Sequence, residues 1–196
     1  MTLPHKERRL KDIETLKGKV LQAARDLAVK EGWSGVSIRE IGKIVQYTSP
    51  VIYEHFKNKE AILIELEEMG FRELRTTLME ARTRSSQPTT QLEDISAAFW
   101  DWAFYNAELY QVMFNLEGIH CSPTNPNALK EATTPVIEIL KQINLFSGEL
   151  DELFFHWWAI VHGHISLVMS GQIKGMDTRI RKYMISAVQR FTKSIS

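Results

Sequence analysis

Between Ser37 and Lys59 the chain gathers side chains suited to one task, holding a charged and hydrogen-bonding surface. Thr48 and Ser49 carry hydroxyls just ahead of Pro50, which stands where a helix begins and a missing N–H does no harm. The free N–H groups and the positive dipole end of such a helix favour an anion, above all a phosphate. At about 100° per residue, Ile52 and Phe56 lie about 40° apart and mark an inward stripe. Glu54 is directly opposite, with Pro50 and Val51 on either side and Tyr53 and His55 on the margins. So short an outward face, made of hydroxyl, imidazole and small apolar groups, can lie against DNA. Glu54 is then either solvated or an acceptor for a cytosine amine. Cations for a phosphate backbone come from Arg39, Lys43, Lys57 and Lys59, with Lys6, Arg8, Arg9 and Lys11 nearer the start.

The second chemically distinct group is aromatic. Residues 99–114, FWDWAFYNAELYQVMF, contain seven aromatic side chains, and Phe154, Phe155, Trp157 and Trp158 form another cluster. Two readings stand side by side: core and dimer-interface packing, or an adaptable pocket for a small apolar ligand, with Met113 and Met169 as flexible lining. Trp158, His162, Ile165 and Met169 fall within about 60° on a helix, so the imidazole shares a face with the indole. His162 is accordingly either a satisfied core histidine or a hydrogen-bond partner for a ligand.

Other chemistries find no support. His156 and His162 are about 240° apart on a helix, and His162 and His164 about 200°, neither being the i, i+4 pair that a metal wants. His120–Cys121 is a single adjacent pair, too few ligands for structural zinc. There is no nucleophile elbow, no phosphate-cradling glycine loop and no zinc-hydrolase signature. No catalytic residue, metal or cofactor is expected, and the chain does not read as an enzyme.

Helical spacing recurs along the chain and alternation is rare, so the expectation is an all-α protein of about nine helices. A first helix carries Leu16, Val20, Ala23, Ala24 and Leu27 and ends near Gly32. SIRE, Ser37 to Glu40, is a capping box opening a short helix through about Val45. The connection Gln46–Ser49 follows, with Thr48 as the expected cap of the helix that holds Ile52 and Phe56. Together these make a helix-turn-helix, whose second helix lies in the major groove while the first braces it. A long helix then runs from about Asn58 to near Arg84. A further capping box, Thr90 and Glu93, is expected to start the next. The stretch from His120 to Pro135 reads as mostly loop, and Pro135 opens a helix to about Leu145. The final helices are expected near 149–171 and 177–194.

Composition narrows the class further. The 44% apolar fraction excludes disorder, and the single cysteine, Cys121, excludes a disulfide framework within the chain. The first residues are charged and lack the apolar run of a secretory signal, which together with the lone thiol points to the cytoplasm. Residues 153–173 contain no Asp, Glu, Lys or Arg but hold three histidines and three other polar side chains. That argues for a buried helix rather than a membrane span. The net charge is zero, yet residues 1–60 hold 12 Lys+Arg against 8 Asp+Glu and residues 61–196 hold 12 against 16. A basic front of +4 precedes an acidic back of −4.

The run SIREIGKIVQYTSPVIYEHFKNKEAIL, Ser37 to Leu63, closely resembles the DNA-binding domain of the tetracycline-repressor (TetR) family, chiefly through I-Y-x-H-F-x-x-K-E from Ile52 to Glu60. The resemblance covers roughly residues 15–70. It implies that Ser37 caps its helix beside a phosphate, that Thr48, Ser49, Pro50 and Val51 approach bases or backbone, and that Tyr53, His55 and Lys59 hold phosphates. Gln46 and Tyr47 depart from the family pattern, which places Gly and then a small aliphatic residue in the turn. WAIVHG, Trp158 to Gly163, is similar to the W-x-x-x-H-G signature of one TetR subgroup. The resemblance implies a cytoplasmic homodimer that binds a palindromic double-stranded DNA operator through residues 1–60. Residues 61–196 would dimerise and bind a small apolar or aromatic effector that releases the repressor. Phe99, Trp102, Tyr105, Met113, Phe114, Trp158 and His162 would line that chamber. The alternative is an all-α ligand-binding or interaction protein whose helix-turn-helix does not engage DNA.

Overall fold

The computed structural model describes residues 5–116, 119, 125–143, 149–173, 175 and 177–196. His120, Cys121, Pro123 and Phe146 lie outside the described residues, as does the side chain of Lys6. Among the described residues there are ten α-helices and no strand: α1 (His5–Glu31), α2 (Ile38–Val45), α3 (Ser49–Tyr53), α4 (Lys59–Arg82), α5 (Pro88–Tyr105), α6 (Ala107–Met113), α7 (Ala128–Ala132), α8 (Thr134–Ile143), α9 (Leu150–Met169) and α10 (Asp177–Ile195). The all-α expectation holds. The helix beyond the expected nine is α7, a short piece inside the stretch read as mostly loop. The Thr90 capping box is not used: α5 opens earlier, with Gln87 at the N-cap and Pro88 in the first turn. Proline there fixes a helical φ and gives up only an N–H that had no partner.

The chain forms two compact units: Met1–Glu68 with Glu108–Thr124, and Met69–Ala107 with Asn125–Ser196. It crosses from one to the other three times. The first crossing is within α4, and α6 after Ala107 counts with the first unit.

In the first unit Val20 and Ala24 of α1, Ile41 of α2, Ile52 of α3, Phe56 in the connection after it, Ile62 and Leu66 of α4, and Leu109 and Tyr110 of α6 are buried. Burying such side chains contributes about 1.5–3 kcal/mol each and is what lets an eight-residue and a five-residue helix persist. Lys17 stands 5.2 Å from the Phe56 ring centre and pairs with Glu65 of α4. The Glu108 carboxylate of α6, 7% exposed, is bound by Arg25 of α1, whose Nε lies 2.8 Å and Nη2 2.7 Å from Oε1. The Trp33 indole N–H donates to the Glu108 carbonyl at 3.2 Å.

The second unit is built around α5, α8, α9 and α10. Leu92, Ile95, Phe99, Val136, Ile139, Trp157, Val161, Ile165, Met184 and Val188 are buried. The Trp157 indole N–H donates to Ser96 Oγ at 2.9 Å, and Ser96 in turn donates to the Leu92 carbonyl at 2.7 Å, so this polar pair leaves no donor stranded in the core. At the rim, the Arg181 fork meets Asp101 with two 2.8 Å bonds and Arg82 pairs with Glu138. Helix α9 is not buried on every side as its apolar composition suggested, since Phe155 is 64% and Leu167 42% exposed. No helix among the described residues is long and apolar enough to cross a membrane.

Candidate nucleic-acid interface

The helix-turn-helix is assembled by local rules. Ser37 is the N-cap of α2, its hydroxyl accepting the Glu40 N–H at 3.2 Å. The other half of the capping box is spent differently: the Glu40 carboxylate takes Lys43 of the next turn at 2.7 Å. At the far end Gln46 is the C-cap, with φ 60 and ψ 36, and the Gly42 carbonyl accepts N–H groups from both Gln46 and Tyr47. This left-handed residue stops α2 and turns the chain toward α3. A side chain beyond Cβ is strained at that φ, whereas glycine is not. Gln46→Gly is therefore expected to raise stability by up to about 1 kcal/mol, read as a higher melting temperature with unchanged helix content.

Gly42 supplies the closeness of the turn. A Cβ built there would lie 2.8 Å from the Tyr47 carbonyl oxygen and 3.5 Å from Ile52 Cδ1. Only glycine lets the backbone of the turn lie across α2 at that separation. Thr48 occupies the N-cap position of α3, but only its carbonyl closes the turn, accepting from Val51 and Ile52; its hydroxyl makes no cap bond, contrary to expectation. Pro50 sits in the first turn of α3, and Ile52 and Phe56 are fully buried as the inward stripe.

The residues expected to meet DNA divide by exposure. Ser37, Arg39, Thr48, Pro50 and Tyr53 are exposed, Tyr53 by 53%, as are Glu54 and Lys57. Ser49, Val51 and His55 are half-buried. Lys59 is the exception in character. Its ammonium donates to the Trp33 carbonyl at 2.6 Å, and desolvation by burial holds its pKa below the ordinary lysine value. The region thus offers hydroxyls, a phenol, an imidazole and cations on one short helical pair. Such groups suit the binding of an anionic, hydrogen-bonding surface.

The aromatic residues of the second unit do not all come together. Phe154, Trp158 and His162 form a column along α9: Phe154 and Trp158 are 6.3 Å apart at 16°, and Trp158 and His162 are 4.8 Å apart at 12°. Phe99 of α5 meets Trp158 at 5.8 Å. Burial lowers the His162 pKa, so the imidazole is neutral near neutral pH, and its Nε2 lies 3.3 Å from Ser166 Oγ. Trp102 is buried in α5, whereas Tyr105, at the end of that helix, is 88% exposed. Met113 and Phe114 belong to the first unit, where Phe114 packs on Tyr110 at 4.6 Å. His164 donates from Nδ1 to the Ile160 carbonyl at 2.6 Å. His156 stands 4.0 Å from Glu152.

Three residues that sequence reasoning passed over matter here: Gly42, Trp33 and Glu108. Gly42 had a visible signal, a glycine inside an eight-residue helix where it is unfavourable. Trp33 and Glu108 meet across 75 positions and had none.

Residues 20–66 match the family of bacterial regulatory proteins of the tetR type, and residues 92–191 match the tetracyclin repressor-like C-terminal domain. The chain is 22% identical over 162 residues to the HTH-type transcriptional repressor NicS of Pseudomonas putida, covering 81% of this chain and 75% of that protein. Among solved structures, a Rhodococcus sp. RHA1 protein of unknown function superposes with a TM-score of 0.78 at 20% identity, over 92% of this chain and 95% of the other. The TetR family transcriptional regulator PfmR from Thermus thermophilus superposes with a TM-score of 0.66 at 15% identity, over 89% and 94%.

Proposed function

The chain belongs to the tetracycline-repressor family of bacterial regulatory proteins, as a DNA-binding transcription regulator and not an enzyme, and we propose that it is a repressor that a small effector releases from its operator. The observation that supports this reading best is the helix-turn-helix locked through the Gly42 carbonyl, with Ser37, Arg39, Thr48, Pro50 and Tyr53 exposed around it. In a homodimer each recognition helix enters one half-site of a palindrome. Val51 and Pro50 then approach base edges, Tyr53, Thr48 and Ser37 hold phosphates, and Ser49 and His55 flank them. Arg39 adds an exposed cation beside the cap. Residues 1–60 carry this task, and residues 61–196 dimerise and take the effector.

On this reading the effector is small and apolar or aromatic. The Phe154–Trp158–His162 column with Phe99 is the part of the second unit chemically suited to it, a set of flat rings with one neutral imidazole. An effector can release DNA only if it binds one dimer conformation better than the other. Helix α4 begins in one unit and ends in the other, and is the proposed lever. The protein acts in the cytoplasm, beside the DNA it reads.

Selection of duplexes from a random pool with the purified protein tests this directly. The expected product is a palindromic site whose binding weakens steeply with salt. Tyr53→Phe combined with Arg39→Ala should flatten the log K against log salt slope by roughly 0.9 for each phosphate that is no longer neutralised. Trp158→Ala should alter the response to effector and leave DNA affinity unchanged. Failure to enrich any duplex would sink the reading.

A further inference from the structure

Lys59 opens α4, in a family block where the resemblance gives it a phosphate. The structure ties it elsewhere. Its ammonium lies 2.6 Å from the carbonyl oxygen of Trp33, in the connection between α1 and α2. That same oxygen accepts the Val36 N–H at 3.3 Å, so both of its lone pairs are used. The connection is tight at each step. Gly32 has φ +71, and a Cβ on Gly35 would meet Glu31 Cβ at 2.7 Å. One residue past Val36 comes Ser37, the cap of α2. A cation in the first turn of a helix opposes the helix dipole. Asn58 already satisfies an N-terminal amide of α4, its Oδ1 accepting the Ala61 N–H at 2.9 Å. What holds Lys59 in place is therefore the Trp33 carbonyl, a partner inside the protein.

We infer that Lys59 serves DNA binding as a positioning residue, clamping the Trp33–Val36 turn so that Ser37 and the start of α2 meet a phosphate in register. Trp33 is itself anchored from its other end, since its buried indole donates to the Glu108 carbonyl of α6. The turn is thus held on both sides, and Lys59 supplies the side that faces α4. The inference rests on the DNA-binding reading above, which gives Ser37 its phosphate.

Lys59→Met, which keeps the length of the side chain and removes the donor, separates this role from direct phosphate contact. Hydrogen exchange on the DNA-free protein provides the first arm: the Gly35 and Val36 amides should exchange faster in Lys59→Met while the amides of α9 stay as protected as before. A phosphate ligand would leave the free protein unchanged, and unchanged exchange overturns the inference. The second arm uses a duplex selected from a random pool by the unaltered protein. Affinity should fall on the order of a hundredfold, the cost of removing one hydrogen bond to a charged group from each protomer of the dimer. The slope of log K against log salt should stay the same. A slope reduced by about 1.8 per dimer, the signature of two phosphates left without a cation, overturns the inference, as does undiminished affinity. If no duplex is selected at all, the DNA-binding reading fails, and the exchange arm still decides whether Lys59 holds the turn.

Discussion

Arg25→Met should lower the melting temperature by roughly 10 °C, the equivalent of about 3 kcal/mol for a chain of this size. The size follows from where the Arg25–Glu108 pair sits. The Glu108 side chain is 7% exposed and the Arg25 side chain 18%, so neither can recover much hydration when its partner goes. Methionine keeps most of the packing of the arginine stem and removes both N–H donors that reach Glu108 Oε1 at 2.8 and 2.7 Å. What remains is a carboxylate with its charge partner removed. Combining Arg25→Met with Glu108→Leu should return most of the loss, because an apolar pair of similar volume has no desolvation penalty to offset. A thermal melt of the two single variants and the double decides it. Additive losses would mean that the pair acts only through packing.

Gly42→Ala should damage the helix-turn-helix more in function than in stability. The added methyl sits 2.8 Å from a backbone carbonyl, not from a side chain that could swing aside, so the turn itself must open. Overpacking of this kind costs about 1–3 kcal/mol. The functional loss should exceed the loss of stability. Opening the turn re-aims α3 relative to α2, and each base contact misplaced in a half-site forfeits about 1–3 kcal/mol. Affinity for a selected duplex should fall on the order of a hundredfold, with circular dichroism showing almost unchanged helix content. Gly42→Ala that binds as tightly as the parent would show that the turn tolerates a wider spacing.

How much of this was legible beforehand depended on the range of the interactions involved. The α2–α3 pair could be read because its determinants are local: a serine cap three residues from its amide and a buried stripe at Ile52 and Phe56; the left-handed conformation of Gln46 had no such mark, because glutamine does not favour a positive φ. Tyr105 stands one turn beyond Asp101, so α5 did carry a polar mark of its outer side there, but the aromatic composition of the segment outweighed it. Its 88% exposure reflects its position at the end of that helix. The pairing of Phe99 with Trp158 was suggested by composition, but the assignment of Met113 and Phe114 to the first unit was not. They follow Glu108, Leu109 and Tyr110 into the first unit, where Leu109 and Tyr110 are fully buried and Glu108 meets Arg25 across 83 positions. A spacing that long leaves no periodic trace.

The way the chain revisits its first unit also sets an order of events during synthesis. The helix-turn-helix leaves the ribosome early, but the segment carrying Glu108, Leu109 and Tyr110 follows only after residues 69–107 have been made. At roughly 5–20 residues per second, the nascent N-terminal helices wait about 2–8 s before α6 arrives to cover them. During that interval Arg25 and the Trp33 indole lack the partners that α6 supplies. The part of the protein that reads DNA is thus finished only once much of the second unit has emerged, which ties the birth of the DNA-binding surface to that of the unit proposed to control it.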